Sequence, residues 1–246
     1  MKQVALIKTG NTIEQIRQVH GDFEDWFSTG LDISSLLQID VYRKQELPDP
    51  ARLSGVVITG SPSMVSARKD WSEQTAQWLL KAVNTDIPIL GVCYGHQLLA
   101  HALGGKVGPN PAGRQIGSVK TCLLDSARND PLLGGLSANF MSQGSHTEVI
   151  LELPPQAIRL ATSPLDNNFA IRFSENAWGV QFHPEFSKVI TSQYIQCRAD
   201  VIRAEGLNPE QLTESVTDAQ ESTTVLTAFV GLTRHRDRSA IQQTPL

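Results

Sequence analysis

Two short segments of this chain carry the residue types that break an acyl bond by covalent catalysis. The first reads Ile89-Leu90-Gly91-Val92-Cys93-Tyr94-Gly95-His96-Gln97-Leu98-Leu99, with a cysteine between two glycines where an apolar run meets an amphipathic one. A strand that turns at once into a helix holds the junction residue in a strained backbone and presents its side chain outward. Glycines on either side avoid clashes between the neighbouring segments. The sulfur of Cys93 would then sit at the positive end of the following helix, which favours thiolate over thiol and makes a nucleophile near neutral pH. The competing reading is a small buried residue that merely ends a core strand, since free cysteine is among the most buried residue types. Cys122, inside a β-like run, and Cys197, in a helical stretch, lack the glycine-flanked setting.

The second segment is Trp178-Gly179-Val180-Gln181-Phe182-His183-Pro184-Glu185. Its apolar and polar alternation ends at His183, which places this residue at a strand end, where side chains reach a cleft. Pro184 holds the residue before it extended, and positions i and i+2 of an extended segment share a face. Glu185 can therefore contact the far imidazole nitrogen, fixing the tautomer and stabilising the imidazolium. A nucleophilic thiol needs such a base with its orienting carboxylate. Among the other histidines, His146 in Gly144-Ser145-His146-Thr147 reads as a loop residue that could line a pocket. No histidine and acid cluster has a metal-binding spacing.

Apolar runs and amphipathic stretches supply the elements that must position these groups. Val4 to Ile7, Val56 to Ile58 and Ile87 to Val92 read as buried strands of a parallel sheet. Trp71 to Val83 has a helical stripe, and His96 to Leu103 is a second helix closed by Gly104-Gly105. Beyond Gly105 the runs 117–124, 140–142, 158–162, 169–173 and 178–182 are short and β-like, which predicts a mixed or antiparallel edge. From Ser187 the pattern is helical through about Glu205, breaks at Gly206 to Pro209, and resumes over Thr223 to Leu232. Arg234 to Leu246 reads as a loose tail.

The 246 residues are 40% hydrophobic and 19% charged, and 21 Lys+Arg against 25 Asp+Glu leave a net charge of −4. This describes one soluble globular unit without the basic excess that holds nucleic acid. No run approaches the roughly 18 to 20 apolar residues of a membrane helix, and no basic segment leads into an apolar signal core. Neither nucleic acid nor a membrane is expected as a partner, and a cytoplasmic location is. Three widely spaced cysteines form no disulfide framework.

Gly91-Val92-Cys93-Tyr94-Gly95-His96-Gln97 and Gly179-Val180-Gln181-Phe182-His183-Pro184-Glu185 together resemble the two signature motifs of the class I (triad) glutamine amidotransferases. The wording is nearest to the amidotransferase domain of GMP synthetases, including Gly104-Gly105-Lys106-Val107 and Arg114-Gln115-Ile116-Gly117. The resemblance covers about residues 4–190 and implies an α/β, flavodoxin-like three-layer sandwich, with a mostly parallel central sheet, an antiparallel edge and a C-terminal helical extension. Residues 1–190 would be the amidotransferase domain, and 191–246 an extension and tail packed on it.

The same resemblance implies Cys93 as nucleophile, His183 as base and acid, and Glu185 as its orienter. Backbone amides of Tyr94 and Ser61, in Thr59-Gly60-Ser61-Pro62, would form the oxyanion hole, with Ser61 standing where a glycine is familiar. Gly60 and Gln97 would line the substrate site. Ser145, His146, Thr147 and Glu148 would form the loop that holds the α-amino and carboxylate groups of glutamine, with Thr147 replacing a commoner glycine. No metal or organic cofactor is required.

The expected activity is hydrolysis of the γ-amide of glutamine through a thioester, with ammonia released for an unidentified acceptor, either by a stand-alone enzyme or by the subunit of a synthetase partner chain. A γ-glutamyl peptidase would use the same acyl-enzyme with a different leaving group. A non-catalytic binding protein on the same fold is the reading from another class. Residues 191–246 are too few for a nucleotide-activating module, and no P-loop is present.

Overall fold

A computed structural model describes residues 2–33 and 35–242, with side chains as far as Arg234. Along the chain run β1 (Gln3–Lys8), α1 (Glu14–His20), α2 (Phe23–Leu31), β2 (Leu37–Asp40), β3 (Leu53–Ile58), α3 (Asp70–Val83), β4 (Ile89–Val92) and α4 (Tyr94–Ala102). There follow β5 (Lys106–Pro109), β6 (Gln115–Leu123), β7 (Asn139–His146), β8 (Glu148–Glu152), β9 (Ile158–Ser163), β10 (Asp166–Ser174) and β11 (Ala177–Val180). Four helices close the described chain: α5 (Lys188–Cys197), α6 (Ala199–Ala204), α7 (Pro209–Glu214) and α8 (Gln220–Gln242).

The main sheet has the order β2-β1-β3-β4-β11-β10-β9-β6-β7. Its first five strands pair in parallel, and the last four extend it as an antiparallel edge. Strands β5 and β8 form a separate antiparallel pair. The parallel strands are apolar on both faces because helices cover both. Val4 and Leu6 pack with Ile16 of α1, Phe27 of α2, Ile195 of α5 and Phe229 of α8. Their neighbours Ala5 and Ile7 face the other way, onto Leu79 of α3 and Leu98 of α4. One alternating strand thus separates two cores, giving a three-layer α/β sandwich.

The direction of strand progression reverses between β1 and β3, and a crevice opens there beyond the carboxyl ends of the parallel strands. The turns after β1, β3, β4 and β11 all converge on it.

Several short elements carry no long periodic run and are absent from the sequence expectation: α1, α2, β2, β5, β8 and α7. Helix α2 begins with a capping box in which Asp22 accepts from its first turn and Asp25 answers back to the Asp22 amide. The expected boundary after residue 190 falls inside α5. The tail expected to be loose from Arg234 is helical as far as Gln242. Arg, Gln and Ala are good helix formers, and no glycine or proline follows before Pro245; residues 243–246 lie outside the described residues.

Helix α8 packs in the same core as the sheet through Val225, Leu226, Phe229 and Val230. Phe229 is fully buried. Phe229→Ala is expected to destabilise the whole chain by about 3 to 5 kcal/mol, read as a single shifted urea transition. An unchanged midpoint would show that α8 does not contribute to the cooperative core.

Candidate active site

Cys93 caps α4 with φ 51° and ψ −100°, a left-handed backbone that a non-glycine residue adopts only at a cost. Its neighbours explain how the turn fits. A Cβ on Gly91 would lie 2.4 Å from the Gly95 carbonyl oxygen, and one on Gly95 would lie 2.5 Å from that of Ile58. The turn is locked to the adjoining strands, since the Cys93 amide donates to the Val180 carbonyl at 2.9 Å and the Cys93 carbonyl accepts from Gln97 at 3.1 Å. Helix α4 begins at Tyr94, two residues before the sequence expectation, so the cysteine stands directly at its N-terminus.

His183 lies three residues past β11, with its amide donating to the Gln143 carbonyl at 2.8 Å. Its Nδ1 meets Oε1 of Glu185 at 2.7 Å, and both side chains are buried. Cys93 borders the same lobe of the cleft as His183, and its thiol donates to the Ser145 carbonyl at 4.0 Å. Phe186 stacks on the imidazole with ring centroids 4.0 Å apart, and Phe23 lies 6.5 Å away on a near-parallel plane. Burial opposes a charged imidazole, but the Glu185 carboxylate and Cys93 outweigh it and raise the His183 pKa to about 10. At neutral pH His183 is therefore the imidazolium.

The turn after β3 brings Gly60 against the imidazole: a Cβ there would lie 2.8 Å from His183 Cε1. Thr9 at the end of β1 donates to the Gly60 carbonyl at 2.7 Å, and the Ser61 hydroxyl donates to the Thr9 carbonyl at 2.7 Å. These bonds pin the Ser61 turn beside Cys93. Both Ser61 and Tyr94 line the cleft around the sulfur, and among the described residues neither backbone amide has a protein acceptor.

The segment Ser145 to Glu148 is no free loop. Ser145 and His146 end β7, Glu148 starts β8, and Thr147 alone joins them. Strand pairing of Gln115 with His146 and of Pro109 with Glu148 draws this corner into the two sheets. All four residues border the cleft. His146 is buried, with Nδ1 3.1 Å from the Glu148 carbonyl and Nε2 3.1 Å from Gln115 Oε1, and burial lowers its pKa to about 4, so it stays neutral. The Glu148 carboxylate is taken by the Ser66 hydroxyl and amide. Gln97 donates both amide hydrogens inward, to the Glu148 carbonyl at 2.7 Å and to Gln181 Oε1 at 3.0 Å. Its carbonyl oxygen is the group left for a ligand.

Other residues at the cleft carry no motif in the sequence. Tyr194 of α5 holds Thr12 at 2.6 Å, and the Arg198 guanidinium lies over the Tyr194 ring at 4.8 Å. The i, i+4 spacing of Tyr194 and Arg198 is the one signal that could have paired them. The buried Lys8 binds Asp22 at 3.0 Å and also Glu24, and Asp22 accepts from the Thr12 amide, which fixes the turn after β1. Arg114 reaches the cleft wall while both its Nε and Nη2 bind Glu205, at 2.7 and 2.8 Å. Among the described residues no group of three or more His, Cys, Asp or Glu side chains could hold a metal ion.

A doubly wound sheet with a cysteine turn beside a histidine at the neighbouring strand end is the layout of a cysteine-dependent acyl-transfer site. Residues 29–196 match the family description "Glutamine amidotransferase class-I", and the chain belongs to that family. It is 36% identical over 134 residues to the glutamine-hydrolysing GMP synthase of Aeropyrum pernix, a match covering 54% of this chain and 24% of that protein. The alignment thus spans about a quarter of that relative's length. To a glutamine-hydrolysing GMP synthase subunit of Haloarcula marismortui it is 33% identical over 171 residues, 68% of this chain and 82% of that one. A glutamine amidotransferase of Thermotoga maritima superposes with a TM-score of 0.70 at 22% identity, over 96% of this chain and 98% of the other. At that identity the likeness speaks for the fold.

The raised pKa of His183 lies above the ordinary value of about 6.5, so the stabilisation from its charged form is full below about 6.5 and is lost as pH rises through about 10. Glu185→Gln is expected to bring the deprotonation of His183 down toward neutrality, followed by imidazole NMR. An unchanged titration would show that Glu185 does not set the charge of this ring.

Proposed function

We propose that this chain hydrolyses the γ-carboxamide of glutamine, with Cys93 as nucleophile, His183 as proton donor and acceptor, and Glu185 holding the imidazole. The observation that carries the reading is the buried Nδ1 to Oε1 contact of 2.7 Å on a ring that lines the same cleft as Cys93. The imidazolium favours the thiolate beside it, and the strained turn presents the sulfur to the cleft.

The thiolate attacks the γ-carbonyl carbon, and the oxyanion is met by the amides of Ser61 and Tyr94, which are unpaired within the protein. One such donor is worth about 3 to 4 kcal/mol of barrier. His183 then gives its proton to the departing nitrogen, and ammonia leaves. The neutral imidazole next takes a proton from water, whose oxygen attacks the γ-glutamyl thioester. Glutamate is released and the thiolate and imidazolium return. The Gln97 carbonyl oxygen and the backbone of the β7 to β8 corner are the groups that would hold the α-amino end of the substrate. The relatives named as GMP synthase subunits support a further step, transfer of ammonia to a synthetase partner chain.

Purified protein is expected to release glutamate from glutamine, more so when its partner is supplied in cell extract. Cys93→Ala should lower that rate by at least about three orders of magnitude. Glutaminase activity that survives in Cys93→Ala would exclude this mechanism.

A further inference from the structure

Cys93 stands between two lobes of the cleft. The lobe on the Gln97 side measures about 220 Å³. The other, about 100 Å³, lies on the His183 side and is walled by Thr12, Ile13, Phe23 and Tyr194. On the mechanism above, the His183 side is where the leaving group departs, because that ring supplies its proton. Ammonia is about the size of a water molecule, whose share of liquid volume is about 30 Å³. The second lobe therefore has room for a leaving group several heavy atoms larger.

A cation lines this space. Arg198 borders both lobes, and its Nη1 is buried with no hydrogen-bond partner among the described residues. The residue is held in the joint between α5 and α6, its amide donating to the Ile195 carbonyl at 3.1 Å and its carbonyl accepting from Ile202 at 3.0 Å. Stacking on Tyr194 fixes the guanidinium itself. Arg114, the other arginine of the cleft, is neutralised by two bonds to Glu205. Of the two guanidinium groups, one is paired internally, and the other, whose residue borders both lobes, has no acceptor for its Nη1 among the described residues. A guanidinium nitrogen buried without a partner is costly, and a carboxylate is the ligand whose paired oxygens match a guanidinium fork.

We propose that the His183-side lobe is a leaving-group subsite for an amine bearing a carboxylate, held by Arg198, so that the chain cleaves γ-glutamyl amides of amino acids or short peptides. The proposal rests on the reading of Cys93 and His183 as the reacting pair. The Cys93 sulfur bonds to the γ-carbonyl carbon and the C–N bond breaks. The nitrogen takes the His183 proton, and the free amino acid departs with its carboxylate against Arg198. Water then hydrolyses the thioester to glutamate, as with glutamine.

The test compares kcat/KM for glutamine, γ-glutamylglycine and its uncharged analogue γ-glutamylglycinamide, in the wild type, Arg198→Met and Arg198→Lys. Expected are a preference for γ-glutamylglycine over the glycinamide of about tenfold or more, its loss in Arg198→Met, and partial recovery in Arg198→Lys. A preference untouched by Arg198→Met would overturn the proposal, as would a wild type that hydrolyses glutamine and not γ-glutamylglycine. A wild type that hydrolyses none of the three would count against the catalytic reading. In that case alkylation decides the role of Arg198. The rate of Cys93 modification by iodoacetate relative to iodoacetamide should fall in Arg198→Met, and an equal ratio in both proteins sinks the anion subsite.

Discussion

No side chain fits between the end of β3 and the first turn of α4, and this close approach sets the geometry of everything at the cleft. Gly95 touches the Ile58 carbonyl and Gly91 touches Gly95, so the turn between them is compressed and Cys93 takes φ 51°. The compression has two consequences. It aims the sulfur away from the sheet, and it brings the turn that follows β3 beside the sulfur. Ser61 and Tyr94, whose amides have no acceptor among the described residues, thus border the cleft next to the thiol from two separate strands, held by backbone packing rather than by flexible side chains. Donors fixed in this way need no reorganisation when charge develops.

The strain at Cys93 and the burial of His183 with Glu185 are both costs, and the sheet offsets them. Hydrogen bonds tie the strand ends at the crevice: Thr9 to Gly60 between β1 and β3, Cys93 to Val180 between β4 and β11, and His183 across to Gln143 of β7. A carboxylate as buried as Glu185 persists because one oxygen is paired with a charged imidazole, although Oε2 has no protein partner among the described residues. Phe186 and Phe23 keep water from the imidazole face. Low polarity there strengthens the attraction of Glu185 for the imidazolium and so keeps the ring charged near neutrality.

What the sequence made legible follows from length scale. The Cys93 turn and the His183-Pro184-Glu185 segment are local devices, and their glycines and proline state the backbone they need within a few residues. The long apolar strands and α3 are legible for the same reason. The β7 to β8 corner was not, because Ser145 to Glu148 has loop composition and becomes strand only through pairing with β6 and β5, dozens of residues away. Gln97 likewise reads as a polar ligand contact, yet its donors are spent on Glu148 and Gln181, partners that only the fold brings near. The tail after Arg234 reads as loose because it is a chain terminus, although its residue types are no obstacle to helicity.

Two halves of the site thus have separate origins. Cys93, His183 and the unpaired amides belong to the ends of parallel strands, within the 29–196 span shared with the family. Two of the charged groups around them come from beyond it: Arg198 follows α5, and Glu205, which neutralises Arg114, follows α6. A strand-end constellation must be rigid to within fractions of an ångström, since strain and close packing hold it. A helix joint that presents one guanidinium is under no such constraint and can change its charge without disturbing the turn. The physical division follows: the strand ends hold Cys93, His183 and the unpaired amides, and the joint after α5 adds Arg198 beside them.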